Sequence, residues 1–194
     1  MPRRISSLPR TGSANAQTTT IVNGIRLAIQ QAGGSVAGFK IAYEDWDDAS
    51  PEQGKWDPAV ENLNADRAIA DPQVMAYIGT YNSGAAKSVM AKLNSAGLLM
   101  VSPGNTAVGL TKLGGSPTEP GCYRPSGKIT YFRVVPADDL QGRVGAEFAK
   151  ELGCKRLFVL HDRELYGQGI ADQFKLTAEK IGLTVVGYEG IDVS

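Results

Sequence analysis

Two loops in this chain hold the residues best suited to chemistry: Thr80-Tyr81-Asn82-Ser83-Gly84 and Ser102-Pro103-Gly104-Asn105-Thr106. They are built from hydroxyl, amide and glycine residues and carry no charged side chain. Each follows a short apolar run, residues 74–78 and 98–101, that reads as a strand. In a parallel α/β sheet such loops gather at the carboxyl ends of the strands, where ligands bind. A helix over 83–96 would put Ser83 at its start, where free backbone N–H groups and the positive dipole end attract an anion. Neutral donors arranged this way suit the holding of a small carboxylate more than they suit catalysis. The plain alternative for Asn82 and Ser83 is a helix N-cap. The second hydroxyl loop, after a neighbouring strand, favours a ligand edge over capping alone.

The elements that must position these loops alternate between strand and helix, the pattern of a parallel sheet covered by helices. Residues 4–8 form a first strand, 17–32 a helix ending at Gly33-Gly34, and 39–44 a second strand. The helix is expected to turn Ile21, Ile25, Leu27, Ala28 and Ile29 inward. Asp57 and Pro58 open the next helix, which ends near Asp71-Pro72. Residues 111–128, with four glycines and three prolines, form an ordered excursion. A fifth strand over 131–135 ends at Pro136. Beyond it come a helix from Asp138 to about Leu152, a strand over 156–161, a helix over 167–181 and a strand over 184–187. The domain boundary therefore falls at 136–139. The second unit, under 60 residues, is near the lower limit for an independent core and looks like the beginning of a larger one.

Composition narrows the function. The chain has 20 basic and 20 acidic residues, so no charge excess points to nucleic acid or a membrane surface. The amino terminus, MPRRISSLPRTGS, has basic residues but no apolar core after them. Read literally, the chain is not exported, or its leader lies outside it. Neither GxGxxG, the P-loop, GxSxG nor a metal-ligand set occurs, so no cofactor or metal is expected and an enzyme has little to stand on. The lone histidine, His161, precedes Asp162, but neighbours on a strand point to opposite faces and cannot act on each other. Asp45, Asp47 and Asp48 lack the EF-hand spacing and read as a solvated acidic turn. Tyr166 follows a strand and opens a helix, as either a packing residue or an aromatic facing a ligand. Cys122 and Cys154 allow at most one bridge.

Six segments together resemble the periplasmic substrate-binding proteins of branched-chain amino acid ABC transporters, the leucine/isoleucine/valine-binding type. They are SLPRTGS at 7–13, YEDWDDAS at 43–50, YIGTYNSGAA at 77–86, VSPGNTAVGLT at 101–111, FRVVPADDLQG at 132–142 and KRLFVLHDRELYGQG at 155–169. The resemblance implies a type I periplasmic-binding fold, with a Rossmann-like ligand-binding lobe over 1–136 and the beginning of a second α/β lobe over 137–194. The lobes would close on a small-molecule ligand, an amino acid or related amide-like solute, and present it to ABC permease subunits. The full-length protein would be periplasmic or extracellular-facing, with a lipid anchor as one form. By this match Ser83, with Asn82 beside it, would bind the α-carboxylate. Gly104 would offer a backbone group, Thr106 its amide and hydroxyl, and Tyr166 a cover from the second lobe. Gln17 stands where many members carry a tyrosine and would alter the side-chain pocket. Ser50 and Asn82 replace a cysteine pair found in some members. The family's acidic partner for the α-ammonium is expected beyond residue 194, a loss on the order of 2–5 kcal/mol for the chain alone. The alternative is a ligand-sensing domain of a signalling or transcription regulator with the same fold.

Overall fold

The computed structural model describes residues 1–192. They form two compact units, one of Met1–Asn105 with Pro120–Val134, the other of Thr106–Glu119 with the stretch from Val135 onward. Residues 193 and 194, the last of the stretch expected to begin a second lobe, lie outside the described residues.

The first unit is built on five parallel strands: β1 (Arg3–Leu8), β4 (Ala42–Asp47), β7 (Val74–Gly79), β8 (Leu99–Ser102) and β9 (Tyr131–Arg133). Their order is β4-β1-β7-β8-β9. Parallel neighbours cannot be joined by a tight turn, so each needs a crossover. Helices α1 (Asn15–Gln31), α2 (Pro58–Ala70) and α3 (Ser83–Ser95) supply the first three. The last, between β8 and β9, is the glycine- and proline-rich excursion rather than a helix. The chain steps to one side of β1 to lay down β4, then returns to its other side for β7. That reversal makes the β1/β7 pair the topological switch point, the place where open α/β sheets leave a crevice at their carboxyl edge.

Burial explains the framework. Ile5, Leu8, Val22, Tyr77, Val89, Leu93 and Met100 are fully or almost fully removed from water. Asn94 closes the excursion onto α3. Its Nδ2 donates to the Lys128 carbonyl at 2.9 Å and to Thr130 Oγ1 at 2.8 Å, while its Oδ1 accepts from the Ser126 amide and hydroxyl at 3.0 and 2.8 Å. An Asn94→Ala variant is expected to lose about 2 kcal/mol of stability, because several buried groups lose their partner at once. A urea titration reads this directly.

Three expectations are corrected here. The strand expected over 39–44 is two elements. Ala37 and Gly38 adopt positive φ, 49° and 82°, and fold β2 (Ser35–Val36) against β3 (Phe39–Lys40) in an antiparallel pair before β4 begins at Ala42. On α1, Thr18 and Val22 are the buried residues, and Leu27 is 53% exposed, so the inward face is rotated from the apolar stripe. The acidic turn is not solvated, as described below.

In the second unit, β10 (Arg156–His161) pairs in parallel with β11 (Thr184–Gly190), between α4 (Asp138–Glu151), α5 (Leu165–Lys180) and the strands a small core forms. Ala146, Ala178 and Leu183 are its centre, with Leu157, Phe174, Ile181 and Val185 packed around them. Phe158, Leu160 and Val186 remain about half exposed on the strands. Within residues 106–119, the Glu119 carboxylate accepts from the Ser116 amide at 2.8 Å and lies where a Cβ on Gly109 or Gly115 would stand. Among the described residues no helix is long and apolar enough to cross a membrane.

Candidate functional site

The two hydroxyl loops meet at the carboxyl edge of the first unit's sheet and are tied together. Ser102 Oγ donates to the Thr80 carbonyl at 2.8 Å and accepts from the amides of Gly104 and Asn105 at 3.1 and 2.8 Å. Asn105 Nδ2 donates to Thr80 Oγ1 at 3.2 Å and to the Tyr81 carbonyl at 3.0 Å. Its Oδ1 accepts from the Tyr131 hydroxyl at 3.1 Å. Burial pushes that phenol up to about 12, so it remains a donor at physiological pH. Thr80, Ser102 and Asn105 are completely buried. The Tyr81 ring covers Gly104 so closely that a Cβ there would stand 2.9 Å from Cδ2, and only glycine fits.

Ser83 begins α3 and is 2% exposed. Asn82 holds the N-cap position in extended backbone but makes no side-chain capping bond, and its Oδ1 is buried without a hydrogen-bond partner. The capping alternative is therefore not what Asn82 does. The Asn82 side chain thus does not cap α3, whose dipole end lies at the sheet edge. The Trp56 ring lies on Gly84, where a Cβ would approach Cζ2 to 2.6 Å.

Asn82, Ser83 and Gly104 thus share one edge of the first unit. Gln17 stands in the first turn of α1, exposed to solvent. Thr106 and Tyr166 belong to the second unit. There the Thr106 carbonyl accepts from the Asp138 amide at 2.9 Å, and the Tyr166 hydroxyl, on a side chain 42% exposed, accepts from Gln141 at 3.4 Å. His161 and Asp162 act separately, each accepting a backbone amide, from Arg163 and Glu164. Both cysteines are free. Among the described residues no group of three His, Cys, Asp or Glu could hold a metal.

The sequence reading missed the ionic frame beneath the loops. Arg10 donates through its amide to Asp47 Oδ1 at 2.7 Å and through Nε to Asp45 Oδ2 at 3.0 Å. It also reaches Thr18 Oγ1 at 3.0 Å, so one residue joins the loop after β1, the end of β4 and α1. Asp45 and Asp47 are therefore structural ligands of Arg10, and Asp48 is wholly buried, which corrects the solvated acidic turn.

With the switch point and loop edge in place, the comparisons with known proteins fall into line. The family described as "Periplasmic binding protein" matches residues 7–194, and the chain belongs to that family. The Leu/Ile/Val-binding protein BraC3 of Rhizobium johnstonii is 31% identical over 187 residues, covering 94% of this chain and 45% of its own length. The chain thus spans about half the length of the curated relatives it matches. Among solved structures, a leucine binding protein LivK from Thermotoga maritima superposes with a TM-score of 0.80 at 24% identity, over 99% of this chain and 49% of its own. A solute binding protein of an ABC transporter from Rhodopseudomonas palustris, in complex with p-hydroxybenzoic acid, gives 0.83 at 20% identity, over 100% and 47%. These structures share the type I periplasmic-binding fold that the family resemblance implied.

Proposed function

We propose that this chain is the amino-terminal part of a solute receptor of an ABC importer, holding an amino acid or related small carboxylate at the sheet's carboxyl edge. The observation that carries the reading is the start of α3, where the Asn82 side chain makes no capping bond, preceded by a loop to which Ser102 and Asn105 pin the second loop. Ser83 and the first α3 amides take the carboxylate, Gly104 lets its backbone approach, and Asn82 offers a buried acceptor. The relatives are named for leucine, isoleucine and valine, and one fold neighbour holds p-hydroxybenzoic acid. The group common to those ligands is a carboxylate, which is the part this edge is suited to grip. Thr106 would contribute its amide and hydroxyl from the first lobe, drawn at 1–136, Tyr166 would cover the ligand from the second, drawn at 137–194, and Gln17 would border the side-chain pocket. In the full-length protein, closure of the lobes would be read by permease subunits on the periplasmic or extracellular side. The role is binding without chemistry.

A thermal melt tests the reading. Excess L-leucine, L-isoleucine or benzoate is expected to raise the melting temperature, whereas leucinamide, which lacks the carboxylate, is not. A ligand at about 100 times its Kd adds about 2.7 kcal/mol. Ser83→Ala is expected to abolish the shift. Equal shifts with L-leucine and leucinamide, or an undiminished shift in S83A, would reject the carboxylate assignment. No shift with any carboxylate would reject this edge as a site sufficient for binding.

A further inference from the structure

Two carboxyl side chains lie fully buried below the loop edge. Asp48 sits at the root of the hairpin formed by β5 (Ala49–Ser50) and β6 (Lys55–Trp56), and Glu61 lies in the first turn of α2. Neither Asp48 oxygen has a hydrogen-bond partner. Its backbone is held on both sides, the amide donating to the Leu8 carbonyl at 3.2 Å and the carbonyl accepting from Asp57 at 2.8 Å. Glu61 Oε2 accepts from Ser7 Oγ at 2.5 Å and Oε1 from the Tyr77 hydroxyl at 2.6 Å. Asn64 Nδ2 donates to Ser7 Oγ at 3.0 Å, and the serine oxygen keeps a second lone pair that accepts from Glu61 when the carboxyl is protonated.

The Ser7 and Tyr77 hydroxyls offset only part of a charge on Glu61, and Asp48 has no such donor. β1 supplies Ser7, β7 supplies Tyr77, and α2 supplies Asn64. The charges that bear on the pair are themselves acidic, Asp47 on Asp48 and Asp48 on Glu61. The hairpin carries Glu52, exposed, and Lys55, half-buried, and Asp57 at its end caps α2 by accepting from the Ala59 amide. Burying an uncompensated carboxylate is costly, and the group keeps its proton instead.

The hairpin joins both sides of the proposed ligand edge. Its Trp56 ring lies on Gly84 at the start of α3. Its Gly54 carbonyl accepts from the Ser13 amide at 3.3 Å and stands where a Cβ on Gly12 would be, so it also holds the loop after β1. We propose that Asp48 and Glu61 form a proton-binding site that fastens this hairpin to the sheet, and that loss of the proton at alkaline pH loosens the hairpin from the start of α3.

Burial first, and neighbouring carboxylates second, push both groups up to about 8. A folded-state value raised above the unfolded one means that the native state binds more protons. Stability from the pair is therefore greatest at low pH and is lost as pH rises from about 4 through about 8.

The experiment follows the emission of Trp56 and the melting temperature of the 194-residue chain, from about pH 6 to about pH 9.5. A Trp46→Phe background makes Trp56 the only tryptophan. The expected result is a spectral transition centred near pH 8 with a falling melting temperature, both absent in Asp48→Asn/Glu61→Gln, whose side chains mimic the protonated pair. A flat wild-type profile, or an unchanged transition in the double variant, would overturn the proposal. So would a pH response erased by calcium or sodium chloride, since a cation would then occupy the site. Should the double variant fail to fold, infrared spectroscopy of the wild type decides. A protonated-carboxyl band at neutral pH that fades as pH rises supports the site, and its absence at neutral pH rejects it. No solute enters these measurements, so they stand or fall separately from the receptor reading.

Discussion

Replacing Asn105 by alanine is expected to lower the stability of the chain by about 3–5 kcal/mol, a fall in melting temperature of roughly 10 °C or more. Asn105 is wholly buried, and its side chain satisfies Thr80 Oγ1, the Tyr81 carbonyl and the Tyr131 hydroxyl together. Truncation strands the last two in a region that water cannot easily enter, and an unsatisfied buried group costs about 1–3 kcal/mol. Tyr131→Phe is the matched control. It removes one of the three bonds and leaves the others in place, so it should cost about 1 kcal/mol. Denaturant titrations of the two variants measure the difference. Equal losses would show that Asn105 does not act as the junction of the two loops.

Gly12→Ala is expected to cost about 2–4 kcal/mol and to shift the emission of Trp56. Two effects combine there. Gly12 has a φ of 75°, which a side chain resists, and an added Cβ would stand 1.9 Å from the Gly54 carbonyl oxygen. The obstacle is backbone, so the loop after β1 and the 49–56 hairpin must separate. Gly33→Ala isolates the first effect, since Gly33 has a similar φ of 66° with open space around its Cβ position. It should cost about 1 kcal/mol and leave Trp56 undisturbed. If both variants behaved alike, the contact between loop and hairpin would carry no weight.

The alternation of strands and helices was legible because it rests on local signals. Asp57 and Pro58 open α2, with Asp57 accepting from the Ala59 amide, and the paired glycines after α1 both take positive φ. The loop compositions were legible for the same reason, and the hydroxyl and amide residues of 80–83 and 102–105 do lie at the edge of a parallel sheet. The strand expected over 39–44 failed because apolar Phe39 and Ile41 dominate that window, whereas the tight turn at Ala37-Gly38 decides where pairing begins. On α1, hydrophobicity favoured Leu27, but Thr18 is buried because its hydroxyl also bonds the Pro9 carbonyl and receives Arg10. Asp48 was misread for a deeper reason. Three acids in four residues look like a wet turn until Leu8, Asp57 and the start of α2 are known to close over one of them. Which polar residue finds a partner, and which is sealed without one, depends on chain segments distant in sequence.

The interlocked loops have a consequence for kinetics. Ser102, Thr80, Asn105 and Tyr131 immobilise both loops when the sheet folds, before any solute arrives. On the proposed reading, capture at this edge would require no ordering of backbone at the moment of encounter, a cost that otherwise slows and weakens association. Solutes differing only beyond their carboxylate should thus enter at similar rates. Discrimination among them would lie in how long each remains.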